Sequence, residues 1–249
     1  DYILHLAGLP SPKFYFQSPL ESLNLSIQVT NKLLEIAKEN NSKFVMFSSS
    51  EIYGNPDKNN LPTSEHYFGN VDPIGDRSCY DEGKRLSETL VSIYTRLYKI
   101  KGLIIRPFNI IGPGMRINDD RVFPNFIKSI LKRKKLKVYI PGQQTRTYCY
   151  IADAMVYLLL LMVNSKNGAY NVGNPSEEVS AKDLASLFCD TIPNNKGYEL
   201  VKYPVNYPQS EPQRRCPDMS KTVAITKYSC HFTLKDAAKN YSKWAFNFH

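Results

Sequence analysis

Apolar positions recur along this chain with two spacings, and the spacing changes from segment to segment. Residues 1–7 (Asp-Tyr-Ile-Leu-His-Leu-Ala) form a short apolar run that stops at Gly8, as a buried parallel strand does. Leu20, Leu23, Ile27, Leu33, Leu34 and Ala37 then follow a helical period over residues 20–39. Residues 43–48 read as a second buried strand, residues 79–99 as a helix ended by Gly102, and residues 103–107 as a third strand. Strands that alternate with helices of this length imply parallel β-α-β units, hence an α/β fold with a Rossmann-like doubly wound parallel sheet.

Beyond Gly112 the pattern shortens, and Pro and Gly become frequent. Candidate strands at residues 137–140, 147–150 and 198–203 stand isolated, which suggests a smaller α/β lobe over the carboxyl ends of the sheet, where ligands of such folds bind. A helix at 151–164 and a strand at 169–172 are expected to return to the main sheet. The division expected is therefore residues 1–112, with 147–173 returning to them, and a substrate-binding lobe of residues 113–146 and 174–249.

Composition narrows the class. The chain has 249 residues, 42% of them hydrophobic and 22% charged, ordinary values for a globular protein. Its longest apolar run, at 155–163, is too short to span a bilayer, and no basic leader precedes an apolar stretch. Five scattered cysteines without a Cys-x-x-Cys read as reduced thiols in a cytoplasmic setting, with no metal site. The net charge of +9 is densest at residues 128–137, but no aromatic residues interleave that run as a nucleic-acid platform requires. A solvated helix end is the simpler reading, and a positive field also suits a doubly charged nucleotide.

The chemistry centres on Tyr80-Asp-Glu-Gly-Lys84. On a helix, i and i+4 share a face, so Tyr80 and Lys84 can address one ligand together. A phenol has a reference pKa of about 10, and a neighbouring ammonium favours its phenolate, making it a usable base. A second match, Tyr198-Glu-Leu-Val-Lys202, falls in a strand-like pattern that sends the two side chains along a sheet instead. A dinucleotide fold should also begin with a Gly-rich turn ahead of a helix. No Gly-x-Gly-x-x-Gly occurs in these residues. The sequence therefore reads as a fragment whose front, two β-α-β units of roughly 60–80 residues, lies outside it.

Several stretches, in order, resemble the extended short-chain dehydrogenase/reductase superfamily. They are His5-Leu-Ala-Gly8, Phe47-Ser-Ser-Ser-Glu-Ile-Tyr-Gly54, the Pro73–Arg85 stretch containing Tyr80 and Lys84, and Arg106-Pro-Phe-Asn109. Within it the chain is most similar to the UDP-glucuronate decarboxylases, also through Gly142-Gln-Gln-Thr-Arg146, Asn171-Val-Gly-Asn-Pro175 and Pro212-Gln-Arg-Arg-Cys-Pro-Asp218. That resemblance implies NAD as cofactor, UDP-glucuronate as substrate and a homodimer as the assembly. It implies catalytic roles for Tyr80, Lys84, Ser49, Ser50, Glu51 and Arg215, with the Glu51 carboxyl raised in pKa to move a proton at C5 or orient a water. Leu6, Ala7, Gly8, Ser48 and Pro107 would join Tyr80 and Lys84 around the cofactor. Asn109, Arg121, Tyr139, Arg146 and Arg215 would bind the nucleotide-sugar.

Ser50-Glu51 is the decarboxylase pattern. The related 4,6-dehydratases carry Asp-Glu at these two positions, and epimerases usually a small residue at the second. A C4 epimerase or 4,6-dehydratase of another nucleotide-sugar, and an inactive nucleotide-sugar-binding remnant, stay open as alternatives. The chain departs from the family pattern at Ser26-Ile-Gln-Val29, where an Asn-x-x-Gly is usual, at Asp76, where Pro is common, and in a tail that has only Trp244.

Overall fold

The computed structural model describes residues 1–140, 143–203 and 212–248. The chain opens with β1 (Tyr2–His5), followed by α1 (Pro12–Gln17) and α2 (Pro19–Asn24), each started by a proline in its first turn. A π-helical turn at Leu25–Val29 joins α2 to α3 (Thr30–Glu39), so the helix expected over residues 20–39 is present but locally widened. Inside that turn the Ser26 carbonyl accepts hydrogen bonds from the Thr30 and Ser87 hydroxyls. At the position where the family carries an amide, the backbone is thus tied by two hydroxyls.

β2 (Lys43–Phe47) leads into a 3₁₀ turn at Ser50–Tyr53 and, after a polar stretch, α4 (Ser78–Tyr98). Lys99, in the left-handed conformation at φ 59°, terminates α4. The expected stop, Gly102, lies instead in β3 (Lys101–Pro107). There a Cβ would come within 2.7 Å of Val91 and 2.5 Å of Thr95, so glycine lets the strand and α4 meet closely.

β4 (Asn109–Ile111), α5 (Val122–Leu131), β5 (Leu136–Ile140) and β6 (Thr145–Tyr150) come next. α6 (Ile151–Asn164) and β7 (Gly168–Val172) follow. β8 (Glu178–Ser180), α7 (Ala181–Thr191), β9 (Tyr198–Lys202), β10 (Arg214–Arg215), α8 (Ser220–Thr226) and α9 (Leu234–Phe248) complete the chain.

The main sheet is parallel, in the order β1-β2-β3-β7, with Leu4 beside Val45, Val45 beside Leu103 and Ile105 beside Tyr170. Alternate residues face opposite layers. Phe44, Met46 and Ile104 pack with Leu34, Val91 and Tyr94 of α3 and α4, whereas Val45, Leu103 and Ile105 pack with Tyr157, Leu158 and Leu161 of α6. Helices on both faces make this the doubly wound α/β fold expected, and β7 returns to the sheet as anticipated. β1 departs from expectation. It pairs with β2 as its single neighbour among the described residues, and Tyr2 and Leu4 are 48% and 42% exposed. Only His5 of that strand is buried.

The strands expected to stand isolated do not. β5 pairs with β9 in parallel, and β6 pairs with β4, β8 and β10. They cover a second core in which Phe123, Phe126 and Phe188 meet edge-on, with Leu136, Leu184 and Tyr241 around them. Sequence pattern locates a strand but says nothing of a partner dozens of positions away, so these pairings are not legible in it. β6 thus belongs to the second sheet, although its Cys149 packs against Leu103 and Ile105 of the main one.

Candidate active site

The sheet and helices bring together the carboxyl ends of β1 and β2, the first two turns of α4 and the two-residue strand β10. Tyr80 and Lys84 lie one turn apart on the buried face of α4, each 6% exposed. The other Tyr-x-x-x-Lys match lies on β9, as a strand. The Lys84 ammonium donates to the Phe47 carbonyl at 2.8 Å and lies 6.0 Å from the centre of the Tyr80 ring. Tyr80 stacks on Tyr15 at 5.3 Å.

Ser49 lies two residues past β2 in an extended conformation. Its hydroxyl oxygen accepts the Glu51 backbone N–H at 3.2 Å and caps the 3₁₀ turn. That contact leaves the hydroxyl proton available to Tyr80, whose pKa it lowers. Ser50 and Ser48 are also buried, Ser48 donating to Glu88. Burial nonetheless dominates the phenol, raising Tyr80 to about 12. The expected lowering by Lys84 is not found; burial also takes the Lys84 ammonium down to about 8, so the ammonium is itself disfavoured. The groups that lower Tyr80 are Ser49 and, more weakly, Arg121.

The Glu51 carboxylate is ion-paired with both Arg77 and Arg215. Burial pushes it up, but Arg215, Arg77 and Arg146 outweigh burial and hold it below the usual carboxylate range. This corrects the expectation of a raised pKa: flanked by guanidiniums, Glu51 is an ionised acceptor at neutral pH. Arg215 lies on β10 in register with Arg146 on β6, which brings the two expected arginines side by side. Arg146 donates to the carbonyls of Thr145 and Pro212, at 2.9 and 2.8 Å. Gly142, at the head of the stretch ending in Arg146, lies outside the described residues.

Other expected residues sit further out. Arg121 is exposed and forked onto Asp119 at 2.7 and 2.9 Å. Asn109 donates to the Thr147 carbonyl at 3.1 Å, and Tyr139 stacks on Tyr203 at 5.1 Å within the second lobe. Pro107 closes β3 beside Val172.

Two charged residues of the cluster carried no role in the sequence reading. Arg77, 6% exposed, caps α4, and its Nε faces Asp81 Oδ2 at 3.6 Å. Burial and the Glu51 charge raise Asp81 to about 7, against the pull of Arg77 and Arg215. The signal available was their i,i+4 spacing on either side of Tyr80 at the start of α4. Asp81 Oδ1, Arg215 Nε and Tyr15 Oη are buried with no hydrogen-bond partner among the described residues. Buried polar atoms are normally paired, so this cluster holds unused hydrogen-bonding capacity of the kind a ligand completes.

The residues expected around a dinucleotide can be tested in the same way. Leu6 and Ala7 are exposed at the end of β1, and a Cβ on Gly8 would lie 3.4 Å from Lys84 Nζ. Lys84 has three N–H donors, and among the described residues Phe47 supplies its one hydrogen-bond acceptor. An open strand end beside a buried ammonium with spare donors fits the ribose of NAD. Among the described residues there is no His/Cys/Asp/Glu group suited to a metal, and no helix long and apolar enough to cross a membrane.

The profile of the NAD dependent epimerase/dehydratase family matches residues 1–173. UDP-glucuronic acid decarboxylase 6 of Arabidopsis thaliana is 39% identical over 236 residues, 95% of this chain and 67% of that protein. UDP-glucuronic acid decarboxylase 1 of Xenopus tropicalis is 37% identical over 225 residues, 90% of this chain but 52% of that protein. The Bacillus cereus UDP-glucuronic acid 4-epimerase, solved with UDP-glucuronic acid and NAD, superposes on the whole chain with a TM-score of 0.85 at 26% identity, and 76% of its own length is covered.

Proposed function

The chain belongs to the NAD dependent epimerase/dehydratase family, and we propose that within it the protein decarboxylates UDP-glucuronate to UDP-xylose or its 4-keto intermediate. The observation that carries this reading is Glu51, an ionised carboxylate set beside the Tyr80–Ser49 pair and clasped by two guanidiniums. Sequence similarity to UDP-glucuronic acid decarboxylases across 95% of the chain supports it.

NAD is the cofactor; when bound, it supplies the hydride acceptor that makes C4 a ketone and the donor that restores the alcohol. The residues of this chain handle protons and charge. Tyr80 takes the C4 hydroxyl proton as its phenolate, a form that burial disfavours and that Ser49, hydrogen-bonded to the same oxygen, and the positive charge of a bound nicotinamide would favour. With C4 a ketone, the sugar carboxylate is a β-keto acid. The C5–carboxyl bond breaks, CO₂ leaves, and the electron pair is held as an enolate whose oxygen faces the Tyr80 and Ser49 hydroxyls. Glu51, already ionised, orients the water or proton that reaches C5. Arg215 suits the substrate's anionic groups, because a planar guanidinium meets a carboxylate or phosphate with two hydrogen bonds. Lys84 holds the cofactor ribose. Arg121, Arg146, Asn109 and Tyr139 take the nucleotide half of the substrate.

The test is to incubate the protein as encoded with UDP-glucuronate and NAD⁺. CO₂ release and a UDP-sugar lighter by that mass are expected. Retention of every sugar carbon with inversion at C4 would instead assign an epimerase, and an unchanged substrate would sink both readings. The assembly proposed is a homodimer through α3 and α4, where Ile36, Leu86 and Leu97 are exposed. Sedimentation at micromolar concentration should give twice the chain mass.

A further inference from the structure

We propose that Arg77 is a positioning residue of this site: fixed on the helix that carries Tyr80, its guanidinium sets the place of the Glu51 carboxylate beside the phenol. The proposal rests on the decarboxylase reading above and adds to it a residue through which Glu51 acts.

The backbone of Arg77 is immobilised as the cap of α4, its carbonyl accepting the N–H groups of Tyr80 and Asp81 at 3.0 and 3.1 Å. Arg77 and Tyr80 therefore move as one turn of helix. The guanidinium is confined on several sides: Nη2 bonds the Glu51 carboxylate, Nε faces Asp81, and the group lies 6.0 Å from the centre of the Tyr15 ring that stacks on Tyr80. Arginine's planar fork makes such a hold directional, where a lysine would supply only a point charge.

Glu51 has a second guanidinium, and the contrast between the two defines the role. Arg215 reaches Glu51 from β10, which is paired with β6 in the smaller sheet. With Arg215 alone the Glu51 side chain would be oriented from that lobe, whereas Arg77 orients it from the helix bearing the phenol. Removing Arg77 leaves Glu51 with a cationic partner, so the buried charge stays compensated while its position is no longer set. A purely structural arginine predicts loss of fold; a positioning arginine predicts loss of rate that disappears once Glu51 can no longer act.

A double-mutant cycle on CO₂ release from UDP-glucuronate makes that distinction. Arg77→Met should lower kcat about 30- to 100-fold with KM within about threefold. In the Glu51→Gln background the same change should cost less than about threefold, because the two residues act as one unit. Arg77→Lys should recover part of the rate. Wild-type kcat in Arg77→Met, a loss confined to KM, or losses that multiply in the double variant would each overturn the proposal. If circular dichroism shows Arg77→Met unfolded, the cycle is run with Arg77→Lys, where a smaller kcat loss that vanishes in the Glu51→Gln background is expected and wild-type kcat or a loss that multiplies overturns the proposal. A wild-type protein that turns UDP-glucuronate over without losing CO₂ overturns the decarboxylase reading alone, since the cycle on that turnover still tests the coupling.

Discussion

Two buried clusters of arginines and carboxylates sit a few residues apart in this molecule, and they are built to opposite rules. In the first, Arg106 forks onto Glu88 at 3.0 and 2.6 Å, donates to Tyr53 at 2.9 Å and to the Glu65 carbonyl at 3.1 Å. The Tyr53 hydroxyl donates to Asn171 Oδ1, the Asn171 amide nitrogen donates to the Thr63 and Asp218 carbonyls, and Ser48 donates to Glu88. Every side-chain polar atom of Arg106, Glu88, Tyr53 and Asn171 that is buried is paired. In the second, around Glu51, two arginines converge on one carboxylate while Asp81 Oδ1 and Arg215 Nε are left unbonded among the described residues. A saturated network specifies structure; an unsaturated one stores capacity for a ligand. Satisfaction, more than charge, separates scaffold from site.

The largest expected effect tests the second cluster. Tyr80→Phe removes the proton acceptor and should reduce turnover by about 10²–10⁴, the span of general acid–base contributions. Its unfolding free energy should change by about 1 kcal/mol or less, the worth of one hydrogen bond. Arg106→Met should do the reverse. It strands the Glu88 carboxylate, 12% exposed, without its cation, and loss of one partner of a buried pair costs about 3–5 kcal/mol. Urea unfolding measures both. A large stability loss in Tyr80→Phe, or none in Arg106→Met, would break the distinction drawn here.

The same contrast explains what could be read from the chain beforehand. Tyr80–Lys84 and its strand-borne counterpart Tyr198–Lys202 were separable because each depends only on local period, and both fall where that period puts them. That β1, β2, β3 and β7 share one parallel sheet followed from alternation with helices; their order is visible only in the folded chain. Contacts across the sequence were not legible in that way. Glu51 and Arg215 are 164 positions apart, and β5 finds β9 across α6 and α7, so only the folded chain shows that one carboxylate is shared by two arginines. The protonation states were misjudged for the same reason. Reading Tyr80 with Lys84 alone predicts a lowered phenol, but burial, a property of the whole packing, governs both groups. Glu51 was expected to rise by burial; the second arginine, Arg77, helps to reverse the sign.

Asp81 offers the finest test, since among the described residues it is the carboxylate whose pKa the fold raises. Buried, and facing Glu51 from the 3₁₀ turn, it is raised from 3.8 to about 7, despite Arg77 on its own helix and Arg215 on β10. Between about pH 4 and pH 7 the folded protein therefore binds a proton at Asp81 that the unfolded chain has released. Stability from this group falls as pH rises through that window, and the cost is complete above it. Asp81→Asn cannot ionise and escapes the cost. Its melting temperature relative to wild type should be higher at pH 8 than at pH 5, by on the order of a few degrees. Glu51 runs the other way: its lowered pKa supplies stability above the unfolded value that is lost on acidification. One cluster thus holds two carboxylates with opposite pH dependence, which a saturated ion-pair network has no need of. An Asp81→Asn difference that is the same at both pH values would mean that Asp81 does not titrate there, and that the charges around Glu51 are as settled as those around Arg106.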